Sequence, residues 1–185
     1  MRRTLIYLLL LTCSITLQAK PDIFGFVKLD SGLVTPIFQK DEIADIHFNY
    51  DNAKYNGMSL PEYLAAKDEE VDEWNGLLDE SHPFFIDSWN ERNRKGLQII
   101  RTSEAKYSLE LIVEDIYINR SNGAEISGKV YLIDKESDRR ICKFKVLGLK
   151  SIESFSLTEA RRLKDTYEVL AKLLIREAKK NKKNV

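Results

Sequence analysis

The stretch GKVYLIDKESDRRICKFKV, Gly128 to Val146, decides the fold because it has the pattern of two strands joined by a short polar turn. In its second half apolar side chains alternate with lysines, and successive side chains of a strand point to opposite faces of a sheet. The turn DKESD consists of polar residues, several of a type that favours tight turns. We therefore expect a hairpin with one packed face and one solvated face, with Lys143 and Lys145 on the solvated one.

A further strand precedes this hairpin, and the alternation of its apolar side chains shifts by one residue part-way along it. Its apolar side chains lie at odd-numbered positions from Leu109 to Val113 and at even-numbered positions from Ile116 to Ile118. One extra residue, a β-bulge near Asp115, would produce this change. The sequence therefore predicts a meander of strands that closes with the strand at 140–147.

A long amphipathic helix is predicted after the meander, over 158–178. Apolar residues recur there at spacings of three and four, which places them on one stripe of a helix. Ser156 and Glu159 have the spacing of a capping box at its start. At 1.5 Å per residue such a helix is roughly 32 Å long, which is enough to cross a sheet.

Two more helices are predicted between residues 59 and 96. Ser59 and Glu62 have the spacing of a capping box, and Ser81 followed by Pro83 has the pattern of a second helix start. Gly96 is suited to end the second helix, because glycine tolerates the left-handed conformation. The aromatic residues at helical spacing favour core packing over a ligand platform; they are Trp74, Phe84, Phe85 and Trp89.

The part before these helices is predicted to hold a hairpin and a strand. Strand-forming residues flank Asp30-Ser31-Gly32, which favours a hairpin within an N-terminal extension at 20–42. From Ile43 to Tyr50 the residues alternate, which predicts a half-buried strand with Ile46, Phe48 and Tyr50 on its packed face. Four polar side chains share the solvated face: Asp45, His47, Asn49 and Asp51. These four could in principle hold a divalent metal, but alternate strand residues lie almost 7 Å apart, and a solvated face is the favoured interpretation.

The order of elements predicts an α+β fold. It has two layers, in which a mostly antiparallel sheet carries the helices, including the long C-terminal helix, on one face. We divide the chain into a signal peptide at 1–19, the extension at 20–42, a single α+β domain at 43–180 and a basic tail at 181–185.

The first 19 residues have the layout of a secretory signal peptide. Arg2 and Arg3 precede an apolar run at 5–17, which is too short to cross a bilayer, and Ala19 suits cleavage. We expect an exported protein, periplasmic or secreted. A lipid anchor at Cys13, as in bacterial lipoproteins, is the alternative to cleavage after Ala19. In both cases Cys142 has no second free cysteine to pair with, so we expect no internal disulfide to stabilise the mature domain.

Charge and motifs argue against several functional classes. Residues 40–91 hold 14 acidic and 3 basic side chains, whereas residues 92–185 hold 13 acidic and 22 basic ones, so the halves attract each other. Aromatic residues do not alternate with clustered basic ones, and we expect no nucleic-acid partner. The sequence has no G-x-S-x-G or H-E-x-x-H motif and only two histidines. We therefore expect no enzyme activity, no catalytic residues, no cofactor and no metal.

The stretch EAKYSLELIVEDIY, followed by GKVYLIDKESDRRI, resembles the strand pair of bacterial envelope domains typified by curli secretion pore lipoproteins, penicillin-binding-protein activator lipoproteins and the amino-terminal domain of TolB. The matching residues are Ala105, Tyr107, Leu109, Leu132, Ile133 and Asp134. The chain departs from the pattern at Lys106 and at Asp138-Arg139. The resemblance covers roughly residues 84–178 and implies an envelope interaction module without catalytic residues. The chain as a whole also resembles small exported proteins of Bacteroidetes-like bacteria.

Three functional hypotheses follow. The preferred one is an exported, non-catalytic protein-binding or structural module of the bacterial cell envelope, with an envelope protein as partner and peripheral membrane contact as a further option. The alternative is a small-ligand or lipid carrier with a pocket between the helices and the sheet, and a secreted hydrolase ranks third. The candidate interaction residues are Asp45, His47, Asn49, Lys143 and Lys145.

Overall fold

The structure is a computed structural model, and it describes residues 24–119, 123–150 and 158–182. The predicted signal peptide, Cys13 and the capping residue Ser156 lie outside the described residues. Within the described residues, no helix is both long enough and apolar enough to span a membrane.

The described residues form one seven-stranded sheet and three α-helices. The strands are β1 (Phe24–Gly32), β2 (Ile43–Asn49), β3 (Lys54–Tyr55), β4 (Gln98–Ile99), β5 (Tyr107–Asn119), β6 (Gly123–Asp134) and β7 (Arg139–Lys150). The helices are α1 (Leu60–Lys67), α2 (Val71–Arg92) and α3 (Glu159–Lys182), and a 3₁₀ turn covers Thr35–Phe38.

The sheet is mixed but mostly antiparallel, as predicted. Its order is β1-β7-β6-β5-β2-β4, and β3 pairs with β5 beyond the end of β2. The pairs β1–β7, β7–β6 and β6–β5 are antiparallel, whereas β2, β3 and β4 join by parallel pairing. The fold is therefore α+β, and β6 is the middle strand of the five longest.

The core lies between the sheet and the helices. Helix α3 packs against α2 and against β1, β6 and β7. The predicted stripe on α3 is buried at Leu163, Tyr167, Leu170, Ala171, Leu174 and Ala178. The stripe thus covers one face of the sheet. Burial of each large apolar side chain contributes roughly 1.5–3 kcal/mol, so α3 is a principal source of stability.

Two further local predictions are confirmed. The backbone amide and hydroxyl of Ser59 both donate to the Glu62 carboxylate, at 2.9 and 2.7 Å, and these bonds lower the pKa of Glu62. The register between β5 and β6 shifts between Val113 and Asp115, where the bulge was expected.

The hairpin predicted within residues 20–42 is wrong. Residues Phe24–Gly32 are one strand, β1, which pairs with β7, and the chain then enters the 3₁₀ turn. Gly32 has φ +90°, and a Cβ at this position would lie 2.1 Å from the carbonyl oxygen of Ile141. Glycine is therefore needed for close approach to β7 rather than for a reversal of the chain. The amide of Leu33 continues the pairing with a 3.0 Å bond to the same carbonyl.

The helix boundary predicted at Ser81 is also wrong. Helix α2 is continuous through Pro83, and the break falls earlier, at Asp68, which has φ 57°. The Ser81 hydroxyl donates to the carbonyl of Leu77 at 2.8 Å instead of capping a new helix. Pro83 lies on the exposed side of α2, where the carbonyl that it leaves unbonded can be hydrated. Helix α2 ends at Arg92, four residues before Gly96.

Candidate interaction surface

The face of the sheet opposite α2 and α3 is solvated, and we call it the open face. It is defined by alternation with the buried residues of each strand, and all its side chains except Tyr131 are exposed or half-exposed. They are Asp45, His47 and Asn49 of β2; Ser108, Glu110, Ile112, Glu114 and, after the bulge, Tyr117 of β5; Lys129, Tyr131 and Ile133 of β6; Ile141, Lys143, Lys145 and Leu147 of β7; and Phe26, Lys28 and Asp30 of β1.

The structure places all five predicted interaction residues on the open face, but in two groups. Asp45, His47 and Asn49 lie on β2, whereas Lys143 and Lys145 lie on β7. Strands β5 and β6 separate the groups, which corresponds to roughly 14 Å at the usual spacing of neighbouring strands. The five residues therefore belong to one surface and not to one compact site.

The β1–β7 side of the open face is predominantly basic. Asp30 bridges two lysines, at 2.7 Å from the ammonium of Lys143 and 2.9 Å from that of Lys145. Hydrogen bonds from these lysines lower the pKa of Asp30 to about 2. Lys28 adds a third positive charge in the same two strands, so one carboxylate faces three ammonium groups.

The β2–β5 side is predominantly acidic. Asp45 lies 3.2 Å from His47 and accepts a 2.8 Å bond from the amide of Ile46. Glu110 has no ion-pair partner among the described residues, and Glu114 forms an ion pair with Lys129 on β6. The open face is therefore divided, with negative charge on one side of β6 and positive charge on the other.

A shallow depression of about 660 Å³ crosses the open face at one end. The guanidinium of Arg140 lies over the ring of Tyr131, at 4.3 Å from the ring centre, which accounts for the burial of that tyrosine. The lining residues are His47, Ser108, Glu110, Ile133, Asp138 and Arg140. Carboxylate, imidazole and guanidinium groups in one depression can receive charged side chains of both signs. Across residues 24–119, 123–150 and 158–182, no group of three or more His, Cys, Asp or Glu side chains is arranged to hold a metal ion.

A buried polar cluster beneath the other face was not predicted. The hydroxyl of Tyr50 lies 2.5 Å from that of Tyr167 and 2.8 Å from Nε2 of His82. The His82 ring stacks on Phe48, with 3.8 Å between ring centres. Burial lowers the pKa of His82 to about 4 and raises the pKa of both tyrosines. The alternation from Ile43 to Tyr50 predicts that Tyr50, the residue after β2, points to the packed face, but its contact with His82 depends on how α2 crosses the sheet.

Three of the four aromatic residues predicted on α2 pack in the core, whereas Phe84 is half-buried, with the ammonium of Lys164 5.4 Å from its ring centre. Trp74, Phe85 and Trp89 are almost completely buried, and Trp89 donates to the carbonyl of Leu97 at 2.9 Å. A pocket of about 530 Å³ lies at the end of the sheet, between the β2–β3 segment and the beginnings of α1 and α2, and it opens to solvent. This pocket is bordered by Tyr50 and Tyr55 and is not framed by the tryptophans.

No protein-family model matches the chain, and no curated protein matches it. Among solved structures, a PelC dodecamer from Paraburkholderia phytofirmans is similar, with 14% identity, a TM-score of 0.46, and coverage of 80% of this chain and 98% of the PelC chain. Protein XCC0632 from Xanthomonas campestris, of the DUF330 family, is similar at 11% identity and a TM-score of 0.40, with 84% and 95% of the two chains covered. At these values the similarity carries no functional conclusion, and the resemblance to curli secretion pore, activator lipoprotein and TolB domains stays a prediction.

Proposed function

We propose that this protein is a non-catalytic protein-binding module of the bacterial cell envelope that docks its partner on the open face. One observation carries the proposal: the open face combines a divided charge pattern with exposed apolar side chains. A solvated face is ordinary for an antiparallel sheet, so solvation alone would mean nothing. Separated charges of opposite sign, in contrast, select a partner and fix its orientation.

The exposed apolar residues support the same conclusion. Six large hydrophobic side chains are exposed among the described residues, and three of them belong to this side of the sheet: Phe26 at 52%, Leu147 at 46% and Tyr117 at 50%. Phe26 and Leu147 are direct neighbours across β1 and β7. Protein interfaces combine apolar and aromatic contacts at their centre with a charged rim, and the open face has both components.

Export is part of this proposal, and the mass of the natural protein tests it. The apolar run at 5–17 supports cleavage after Ala19, which would give a mature chain that starts at Lys20. An acylated Cys13 at the new amino terminus would still place the protein in the envelope, as an anchored form. An intact mass that includes Met1 and the complete leader would contradict export.

Site-specific photo-crosslinking in the producing bacterium tests the docking surface. A photoreactive amino acid is placed at His47 or Lys145 on the open face, and in matched variants at Glu73 or Lys95 on the helical side. We expect a discrete crosslinked protein from the open-face positions and none from the helical ones. Crosslinks that form equally from both sides, or from neither side, would contradict the proposal.

A further inference from the structure

We propose that the open face also binds a second copy of this chain, in a two-fold dimer whose axis runs along β6. This inference rests on the proposed function, because it names an occupant of the same surface. A two-fold interface must be self-complementary, since each patch meets its own counterpart. The open face meets this requirement in the charges on either side of β6, in its register and in its apolar residues. Lys129, on β6 itself, would lie near its own counterpart, and its ion pair with Glu114 offsets that positive charge.

The charges are complementary across the middle strand. Strands β5 and β2 lie on one side of β6, and β7 and β1 lie on the other. Rotation about an axis along β6 places β5 of one copy over β7 of the other, and β2 over β1. The acidic side of each copy then covers the basic side of its partner. The same rotation without a charge division would bring like charges together, which opposes association.

The strand register identifies the residues that meet. Glu110 and Lys143 are both direct neighbours of Tyr131, one on each side of β6. An axis parallel to the strands keeps each residue at its height along the strand. Glu110 of one copy therefore faces Lys143 of the other, this contact occurs twice, and Tyr131 lies on the axis. Glu110 has no ion-pair partner among the described residues, which fits this arrangement. Lys143 already pairs with Asp30 of its own chain at 2.7 Å, so in the dimer it would lie between two carboxylates.

The apolar residues agree with the same operation. Tyr117 lies on the acidic side of β6, at the height of Lys150, and the Phe26–Leu147 pair lies on the basic side. The heights of Tyr117 and Leu147 differ by about one pair of residues, or roughly 7 Å along a strand. The rotation thus brings an exposed tyrosine toward the exposed apolar pair of the second copy, within reach of long side chains.

The size of the face sets the expected strength of the dimer. Five strands at about 4.8 Å spacing and about six residues in length give a planar area of roughly 500 Å². Stable interfaces bury about 800 Å² on each partner, so this dimer should be weak and reversible. Because charged groups contribute much of its complementarity, its association should weaken as ionic strength rises.

A charge-exchange experiment in analytical ultracentrifugation tests the dimer with the mature chain. The variants are Glu110→Lys and Lys143→Glu, and the matched controls are Glu73→Lys and Lys95→Glu on the helical side. We expect each open-face variant alone to raise the dimer dissociation constant about tenfold or more, because two like-charge contacts replace two attractive ones. An equimolar mixture of the two variants should restore association to within about threefold of the unmodified protein. The controls should associate like the unmodified protein.

Restored association in the mixture also shows that both variants are folded. Weak association of each variant alone can therefore be attributed to charge repulsion and not to misfolding. A protein that remains monomeric at millimolar concentration and low salt would overturn the dimer. So would equal association of the unmodified protein and all four variants. Crosslinking of a different protein from the open face, with a monomeric purified chain, would overturn the dimer and leave the proposed function intact.

Discussion

At the scale of single residues, Cys142 illustrates how burial suppresses chemistry. Its side chain is 2% exposed in β7, and burial raises the pKa of the thiol to about 12. Since the thiolate is the reactive form, native protein should contain almost none of it at neutral pH. We expect negligible reaction with a thiol reagent in native buffer and one equivalent per mature chain in denaturant. A Ser137→Cys variant, in the exposed β6–β7 turn, should gain one rapidly reacting thiol; immediate stoichiometric labelling of the unmodified native protein would contradict the buried thiol.

His82 should make stability depend on pH. Burial lowers its pKa from 6.5 to about 4, against the raising effect of Asp79 and with a smaller lowering effect from Arg101. The unfolded chain therefore takes up the proton first, and stability that is complete above pH 6.5 is lost as the pH falls toward 4. The full loss is on the order of 3 kcal/mol, from a difference of roughly 2.5 pKa units.

Urea unfolding at several pH values between 7 and 4 measures this dependence. The His82→Phe variant, whose ring can keep the stacking on Phe48, should lose most of the slope in that interval. A His47→Gln variant on the open face should keep it. The Asp30 carboxylate adds a separate loss at lower pH, between 3.8 and about 2, because its folded pKa is depressed. An unchanged slope in His82→Phe would exclude His82 as the cause.

At the scale of secondary-structure elements, local patterns predicted the parts that local physics controls. The alternation of β5, β6 and β7, the bulge at Asp115 and the stripe of α3 all come from side chains within one segment. Failures came where the partner is distant in sequence. The triplet Asp30-Ser31-Gly32 predicts a turn by its composition. In the structure Gly32 is needed for its close approach to Ile141, and that approach follows from the pairing of β1 with β7, which lie far apart in sequence. Pro83 predicts a helix start, but it lies inside α2. An exposed proline is tolerated there because the tertiary packing of α2 outweighs the lost hydrogen bond.

The same substitution at two glycines should have opposite effects. Gly128 lies in β6, and a Cβ there would lie 2.2 Å from the carbonyl oxygen of Ile112 on β5. Gly128→Ala should therefore destabilise the protein by about 2 kcal/mol or more, since the central pair of strands must shift. Gly76 lies within α2 with no atom within 4 Å of such a Cβ. Gly76→Ala should stabilise by roughly 0.5–1 kcal/mol, because alanine loses less backbone entropy in a helix. Chemical denaturation of both variants provides the comparison, and equal signs would contradict the packing at Gly128.

At the scale of the whole molecule, the candidate site was predicted in part. Alternation alone placed Asp45, His47, Asn49, Lys143 and Lys145 on a solvated face, and the structure has them there. Their separation into an acidic and a basic side depends on strand order, with β2 beside β5 and β1 at the far edge. Those pairings join segments that are distant in sequence, and hydrophobic periodicity does not encode which strands become neighbours.

The strand order also makes residues 24–38 part of the core, and this can be tested by truncation. Val34 and Ile37 are almost fully buried, and the carbonyl of Ile37 accepts bonds from Leu97 at 3.0 Å and Asn93 at 2.7 Å. Val27 packs in the same core, so a chain that starts at Gln39 loses three apolar side chains worth roughly 1.5–3 kcal/mol each, and it exposes the edge of β7.

That loss is comparable with the total stability of an ordinary domain, about 5–15 kcal/mol. We expect the chain at 39–185 to be largely unfolded or aggregated at 25 °C, whereas the chain at 20–185 shows a cooperative transition in urea. A Lys28→Ala variant of the longer chain should keep its midpoint, because Lys28 is exposed on β1. If the truncated chain unfolded with the same midpoint and the same slope, β1 and the 3₁₀ turn would be an appendage. Without β1, the basic side of the open face would consist of Lys143 and Lys145 on β7 alone. The docking surface would then depend on these two lysines opposite the unchanged acidic side.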